Sequence, residues 1–96
     1  METMPYLSIS SSANLVVLED GAVRSYPLNE NQIWKIGRKN PESENDIELE
    51  SKIVSRKHGQ IQSVDGEWYY IDNGSLNGTY YNGSKIKAND HESLMQ

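Results

Sequence analysis

Apolar and polar residues alternate along most of the chain, and short turn sequences interrupt the alternation. A two-residue period is typical of β-strands, and no useful length shows the 3.6-residue period of a helix. The pattern predicts strands at 13–19, 22–28, 33–36, 46–50, 58–64, 67–72, 79–81 and 84–86. Asp20-Gly21, Asp65-Gly66 and Asn82-Gly83 are typical of tight hairpin turns. We therefore predict an all-β fold, a sandwich of two twisted antiparallel sheets.

The beginning of the chain departs from this pattern. Residues 1–12 combine Pro5 with a Ser-rich run and show no sustained period, so we expect a flexible leader followed by a single domain over 13–96. A chain of 96 residues suits one domain with one modest core. Because Phe is absent and six Tyr and two Trp are present, we expect that core to be thin and aromatic.

The overall charge is negative, but the basic residues are clustered. Fourteen acidic and nine basic residues give a net charge of -5, which disfavours a sequence-independent grip on nucleic acid. Six basic residues lie close together in the sequence, at Lys35, Arg38, Lys39, Lys52, Arg56 and Lys57. Five acidic residues share this stretch, at Glu42, Glu44, Asp46, Glu48 and Glu50. A local positive site forms only if folding separates the two sets.

Several chemistries are disfavoured by composition. The chain contains no Cys, and its two His residues, His58 and His91, belong to no metal-binding pattern, so we expect neither a metal nor a cofactor. The longest apolar run in the first twenty residues, at 15–18, is too short for a membrane span or a signal-peptide core. We expect no membrane contact from this segment and a cytoplasmic location.

Three short polar stretches contain the candidate chemistry. They are Gly37-Arg38, then Ser55-Arg56-Lys57-His58, then Asn-Gly-Ser-Leu-Asn-Gly-Thr at 73–79. Apolar or aromatic residues flank each one, as expected for loops that a sheet scaffold presents at one end. Guanidinium groups match phosphate with two parallel hydrogen bonds, and a Ser hydroxyl and loop N–H groups add shorter bonds to the same oxygens. The residues predict a site that recognises an oxyanion.

The order and spacing of these stretches, followed by Asn82-Gly83, closely resemble the forkhead-associated (FHA) domain, a phosphothreonine-binding module. The resemblance covers 15–86, most of the chain. It implies a sandwich of twisted antiparallel sheets with its binding loops at one end. It also implies binding to a phosphothreonine-containing protein or peptide after a Ser/Thr kinase has acted, with no enzymatic activity.

The resemblance assigns roles to individual residues. By it, Arg38 contacts the phosphate, the Ser55 hydroxyl donates to a phosphate oxygen, and the Asn77 amide bonds the main chain of the ligand. Arg56 lies near the phosphate or the peptide backbone. Leu76 departs from the family pattern, because that position can bear a phosphate-binding hydroxyl and Leu has none.

Other residues of the motif are expected to shape the loops. His58 is implied to bond across loops, and Gly37 to let the backbone turn tightly before Arg38. The remaining loop-shaping residues are Gly78, Thr79 and Asn82. Ser55 and His58 also raise the hypothesis of a nucleophile and its base, which we reject because no motif places a carboxylate beside them and no Gly-x-Ser-x-Gly elbow surrounds Ser55.

The resemblance weakens after Ile86. The family pattern continues with a Gly-Asp turn, an apolar strand and a closing strand that pairs near the N-terminus, whereas 88–96 offers one short strand. We therefore expect the final strand to be absent and the N-terminal strand to have an open edge, at which self-association is a hypothesis. The alternative function is a structural β-sandwich interaction domain without phosphate dependence.

Overall fold

The computed structural model of the protein describes residues 4–94, which form ten strands and no helix. The strands are β1 (Tyr6–Ile9), β2 (Asn14–Glu19), β3 (Ala22–Pro27), β4 (Trp34–Arg38), β5 (Ile47–Leu49), β6 (Gly59–Val64), β7 (Glu67–Asp72), β8 (Tyr80–Tyr81), β9 (Ser84–Lys85) and β10 (His91–Ser93). The predicted all-β fold is confirmed. The three Asp-Gly and Asn-Gly turns have positive φ at both residues, as type I′ hairpins require.

The strands form two main sheets and a small hairpin. One sheet has the order β1-β2-β3, the second has the order β10-β7-β6-β4-β5, and β8 pairs with β9. One pair departs from the antiparallel prediction, because β4 and β5 run parallel, with Ile36 opposite Ile47 and Arg38 opposite Leu49. Residues 39–46 lead the chain back to the end of the sheet at which β4 begins. Strand β5 therefore runs in the same direction as β4.

The first strand lies inside the stretch that the sequence predicts to be a flexible leader. Strand β1 pairs with β2, with Tyr6 opposite Leu18 and Ile9 opposite Leu15, so the leader prediction is wrong for these residues. Residues 1–3 lie outside the described part of the chain. Four residues are too few to show a sustained period, and the edge of β2 supplies the pairing that their sequence alone does not predict.

The position of β1 also changes which edge is open. The strand predicted at 13–19 corresponds to β2, which lies between β1 and β3 and is paired on both sides. The hypothesis of self-association is therefore wrong in its choice of the 13–19 strand, and self-association through an edge strand stays a prediction. The open edges of this sheet belong to β1 and β3 instead.

The buried core of the described residues is mainly aliphatic, and Trp68 is its aromatic member. It consists of Leu15, Val17, Ile36, Ile47, Leu49, Val54, Ile61 and Trp68. Tyr26, Trp34 and Tyr70 pack at its margin, only partly buried. Their polar atoms need partners, as when Trp34 Nε1 donates to the Asn29 carbonyl at 3.3 Å, so these rings lie where the core meets polar groups. The prediction of an aromatic core is therefore correct for Trp68 and wrong for the rest of the buried core.

Candidate functional site

The three polar stretches meet at the end of the molecule where β4 terminates. Backbone hydrogen bonds join them: the Arg38 N–H donates to the Ser55 carbonyl at 3.0 Å, and the His58 N–H donates to the Ile36 carbonyl at 3.0 Å. The Asn73 N–H donates to the His58 carbonyl at 2.9 Å. Because these bonds are between main-chain atoms, the relative positions of the loops are set by the sheet and not by exposed side chains.

Gly37 permits a close approach between β4 and the loop that contains Arg56. A Cβ atom at Gly37 would lie 2.0 Å from the Arg56 carbonyl oxygen and 2.6 Å from Asn45 Nδ2. Asn45 Nδ2 donates to the same carbonyl at 2.7 Å. The reason for glycine differs from the expected tight turn, because Gly37 lies within a strand and has no positive φ. What the position requires is the absence of a side chain.

Arg38 and Arg56 line one open cleft of about 400 Å³. Its other lining residues are Lys39, Asn40, Pro41, Glu50 and Lys52. Arg38 Nη1 donates to the Lys52 carbonyl at 3.2 Å, which restrains the guanidinium and leaves its other N–H groups for a ligand. A restrained guanidinium loses less conformational freedom on binding than one on a free loop.

Ser55 is oriented by the loop that follows β7. Its Oγ accepts a hydrogen bond from the Leu76 N–H at 3.0 Å. Because this bond uses the oxygen as an acceptor, the hydroxyl proton remains available to an outside acceptor such as a phosphate oxygen. Leu76 therefore contributes through its main chain, although its side chain has no hydroxyl and is 87% exposed.

Asn77 lies next to Leu76 on the loop that follows β7, and its side chain contacts the loop that contains Ser55. Its Nδ2 donates to the Ile53 carbonyl at 2.8 Å. This bond fixes the amide, and its Oδ1 is left to accept an N–H from an incoming peptide chain. The orientation suits the main-chain contact that the sequence analysis assigns to Asn77.

His58 bridges two loops through both ring nitrogens. Nδ1 accepts the Ser55 backbone N–H at 3.0 Å, and Nε2 lies 3.0 Å from both the Gly78 carbonyl and Thr79 Oγ1. A neutral ring with its proton on Nε2 satisfies all three contacts. A general base for Ser55 would have to bond its hydroxyl, whereas this ring bonds its backbone amide. The geometry gives no support to a nucleophile and base pair.

Two further loop residues adopt the left-handed backbone conformation. Gly78 has a φ of 81°, and a Cβ there would lie 2.7 Å from Lys85 Cε. Asn82 has a φ of 50° and begins the β8–β9 turn. Both positions therefore favour residues that tolerate positive φ.

Asp72 is a buried carboxylate to which the sequence analysis assigns no role. Its oxygens accept bonds from the Gly74 N–H at 2.9 Å, the Ser75 N–H at 2.8 Å, and the Ser75 and Thr79 hydroxyls at 2.6 Å each. Burial alone would raise the pKa of Asp72, but these hydrogen bonds together lower that pKa below its ordinary value. The available signal is its position immediately before Asn-Gly-Ser, since Asp often bonds the backbone of a following turn.

Glu19 is a second buried carboxylate that the sequence analysis misses, and it joins the two sheets. From β2, its oxygens accept the Glu50 N–H at 2.9 and 3.0 Å and the Ser51 N–H at 3.0 Å. Arg24 on β3 pairs with Glu19 at 3.2 Å and donates to the Glu48 carbonyl at 2.9 Å. The sequence contains one signal for this role. Glu19 alternates with Leu15 and Val17 along the strand, so a charged residue lies on the buried face of β2.

Replacing Asp72 with Asn is expected to reduce the free energy of unfolding at pH 7 by about 1–3 kcal/mol, because buried donors lose a charged acceptor. Since the folded-state pKa lies below the ordinary 3.8, this carboxylate stabilises the protein above that pH. Its contribution is lost as the pH falls through the lowered folded-state value. Urea unfolding across pH should therefore show the wild type and the variant converging in acid.

Asp90→Asn is the matched control for this substitution. Asp90 is exposed and pairs at 3.9 Å with exposed Lys87, so its loss should change stability little. If Asp72→Asn were as stable as Asp90→Asn at pH 7, the hydrogen-bond network around Asp72 would not have the stabilising role described above.

The fold and the site define the class of protein. The family model of the FHA domain matches residues 34–94, so the chain belongs to the FHA family. Domains of this family recognise phosphorylated motifs through Arg clusters. Arg38, Arg56 and Ser55 lie together at one end of the sandwich, an arrangement compatible with this mode of recognition.

Several relatives are similar to the chain. The glycogen accumulation regulator GarA of Mycolicibacterium smegmatis is 39% identical over 79 residues, which cover 82% of this chain and 48% of the relative. The oxoglutarate dehydrogenase inhibitor of Corynebacterium diphtheriae is 49% identical over 39 residues, covering 41% of this chain and 27% of that protein. The chain thus spans about half or less of the length of these relatives.

A solved structure shares the fold. The crystal structure of FHA-1 of Mycobacterium tuberculosis Rv1747 superposes with a TM-score of 0.59 at 27% sequence identity, covering 85% of this chain and 76% of that one. This likeness agrees with the family assignment. Within residues 4–94, no helix is long and apolar enough to cross a membrane.

Proposed function

We propose that this domain binds phosphothreonine in partner proteins and thereby mediates an interaction that depends on prior action of a Ser/Thr kinase. The observation that supports this most is the arrangement of Arg38 and Ser55. A restrained guanidinium at the end of β4 and a hydroxyl whose proton is available on the adjacent loop are held together by the bond between the Arg38 N–H and the Ser55 carbonyl. A phosphate dianion has only hydrogen-bond acceptors, so its binding site must supply donors, and both of these groups are donors.

In this proposal each site residue has a separate task. Arg38 pairs with the phosphate, Ser55 donates its hydroxyl to a phosphate oxygen, and Arg56 adds positive charge near the phosphate or the peptide backbone. Asn77 accepts a main-chain N–H of the ligand through Oδ1 while its Nδ2 remains bonded to Ile53. The task of Asn77 favours an extended peptide over a free phosphate ion.

The preference for phosphothreonine over phosphoserine depends on burial of one methyl group. Transfer of a methyl from water is worth about 0.8 kcal/mol, which corresponds to about fourfold in affinity. A larger preference requires that the methyl also fix the orientation of the ligand. We propose that the domain buries this methyl group and therefore binds phosphothreonine at least about fourfold more tightly than phosphoserine.

The names of the relatives suggest the biological setting. One is called a regulator and another an inhibitor, so we propose that this domain controls a partner by binding it and not by catalysis. The proposal involves no nucleic acid, membrane contact, metal or cofactor, and it keeps the cytoplasmic location expected from the sequence. The alternative is a structural sandwich that binds partners without phosphate.

The direct test is a titration of fluorescent phosphothreonine peptides into the protein, beside phosphoserine and unphosphorylated versions of the same sequences. We expect binding of the phosphothreonine peptide, affinity for the phosphoserine version weaker by about fourfold or more, and no measurable binding without phosphate. Fluorescence anisotropy measures all three. Failure of every phosphopeptide to bind folded protein would favour the structural alternative.

A further inference from the structure

The cleft beside Arg38 is far more positive than the molecule as a whole. Four of its lining side chains are cationic, and Glu50 is its single carboxylate. The protein has a net charge of -5, so this cleft reverses the overall sign locally. Clefts lined by one sign of charge concentrate counter-ions of the other sign.

Folding leaves four of the five acidic residues of this sequence window outside the lining of the cleft, and Glu50 remains within it. Glu42, Glu44, Asp46 and Glu48 are absent from the cleft lining. Asp46 is instead used structurally, where its Oδ2 accepts the Lys35 N–H at 2.9 Å. The cleft therefore has the local excess of cationic side chains that a positive site requires, with Glu50 as the acidic residue that stays among them.

Most of this positive charge is not neutralised within the protein. The ion pairs found among residues 4–94 join Arg24 to Glu19 and Lys87 to Asp90, while Nε2 of the neutral His58 ring lies 3.7 Å from Asp72 Oδ2. Arg38, Lys39 and Arg56 take part in none of those pairs. An anionic group that enters the cleft would thus meet these three cations, none of which is in an ion pair within residues 4–94.

The cleft extends beyond the phosphate site. Its lining includes neither Ser55 nor Asn77, so a phosphate held by Arg38 and Ser55 would lie at its edge. The volume of this open cleft, about 400 Å³, exceeds what one phosphate group needs. Room remains beside Lys39 and Lys52 for a further group of the ligand.

The walls of the cleft are held in place without a ligand. The bond from Arg38 Nη1 to the Lys52 carbonyl joins two of its sides, and Asn45 holds the Arg56 carbonyl on a third. Preformed walls lower the conformational cost of binding a second group.

From these observations we propose that the cleft binds a carboxylate of the same ligand, supplied by an Asp or Glu close in sequence to the phosphothreonine. This inference rests on the proposed function and deepens it. The preferred partner is a phosphothreonine motif in an acidic context, with Lys39 and Lys52 selecting the acidic residue.

The test compares phosphothreonine peptides that have Asp or Asn at each neighbouring position in turn. At the position that reaches the cleft, Asp should improve affinity by about fivefold, the upper end of the range for an exposed ion pair. A phosphoserine at that position distinguishes a second phosphate from a carboxylate. Tighter binding with phosphoserine but no gain with Asp would overturn the assignment to a carboxylate.

Variants of the protein locate the effect. Lys39→Gln, alone and with Lys52→Gln, should reduce the ratio of Asp to Asn affinities toward one. Lys87→Gln makes the same charge change on a different surface depression, lined with Asp90 and His91, and should leave the ratio unchanged. Thermal unfolding of each variant checks that it is folded.

The outcomes separate this inference from the proposed function. If phosphothreonine peptides bind but Asp gives no gain at any position, the inference fails and the proposed function stands. An equal loss of the Asp advantage in Lys87→Gln would show a general charge effect and would also overturn it. If no phosphothreonine peptide binds, both fail.

Discussion

Replacing Arg38 with Ala is expected to weaken binding of a phosphothreonine peptide by about thirtyfold or more. Removing one partner of a hydrogen-bonded charge pair costs about 2–5 kcal/mol, because the phosphate keeps its desolvation cost and loses its cation. Arg38 is placed by the end of β4 and restrained by the Lys52 carbonyl, so no neighbouring side chain occupies the same position. Titration of the fluorescent peptide into wild type and variant measures the change.

Arg38→Lys is the conservative comparison for this substitution. Lys retains the charge but lacks the planar fork that pairs with two phosphate oxygens, so its affinity should fall between the wild type and Arg38→Ala. Arg38 is partly exposed, and its loss should change stability by no more than about 0.5 kcal/mol. Unchanged affinity in a folded Arg38→Ala protein would contradict the assigned phosphate contact.

Replacing Gly37 with Ala is expected to lower the free energy of unfolding by about 3 kcal/mol or more. The added methyl would lie against the Arg56 carbonyl, and a strand and a loop would have to separate to accept it. Small domains have a total stability of about 5–15 kcal/mol, so this loss is a large fraction of it. Urea unfolding measures the effect.

Gly66→Ala separates this steric cost from the ordinary cost of replacing glycine. Gly66 lies in a hairpin turn with a φ of 82° and has no neighbouring atom within 4 Å of an added Cβ. Its cost should be only the strain of a left-handed residue, about 1–2 kcal/mol. A Gly37→Ala protein more stable than Gly66→Ala would be inconsistent with the close approach between β4 and the Arg56 loop.

Local sequence patterns predict the parts of this fold that are themselves local. Alternation and the Asp-Gly and Asn-Gly turns locate the strands from β2 to β9, because a hairpin joins neighbours in sequence. The parallel pairing of β4 with β5 depends on the path of 39–46, which no alternation records. Strand β1 is missed because its four residues form a strand only against β2.

The same division applies to the site. Arg38, Ser55 and Asn77 are proposed from their motif, since the residue types and spacing match a family pattern, and their binding roles stay predictions. Asp72, Glu19 and Asn45 are missed because their roles depend on which loop N–H or carbonyl groups lie near them after folding. The Glu19 carboxylate accepts a hydrogen bond from a backbone amide 32 positions away. The only sequence sign of this contact is that Glu19 falls on the buried face of its strand.

The buried carboxylate of Glu19 has a consequence for protein engineering. The 51–57 loop begins at Ser51, whose N–H, like that of Glu50, is held from β2 in the opposite sheet. A 51–57 loop grafted onto another sandwich would therefore lose this anchor unless the recipient strand also received an inward-facing Glu. Libraries that randomise 51–57 to alter specificity should keep Glu19 and Arg24 constant, because these two residues define the frame on which new loop sequences must fold.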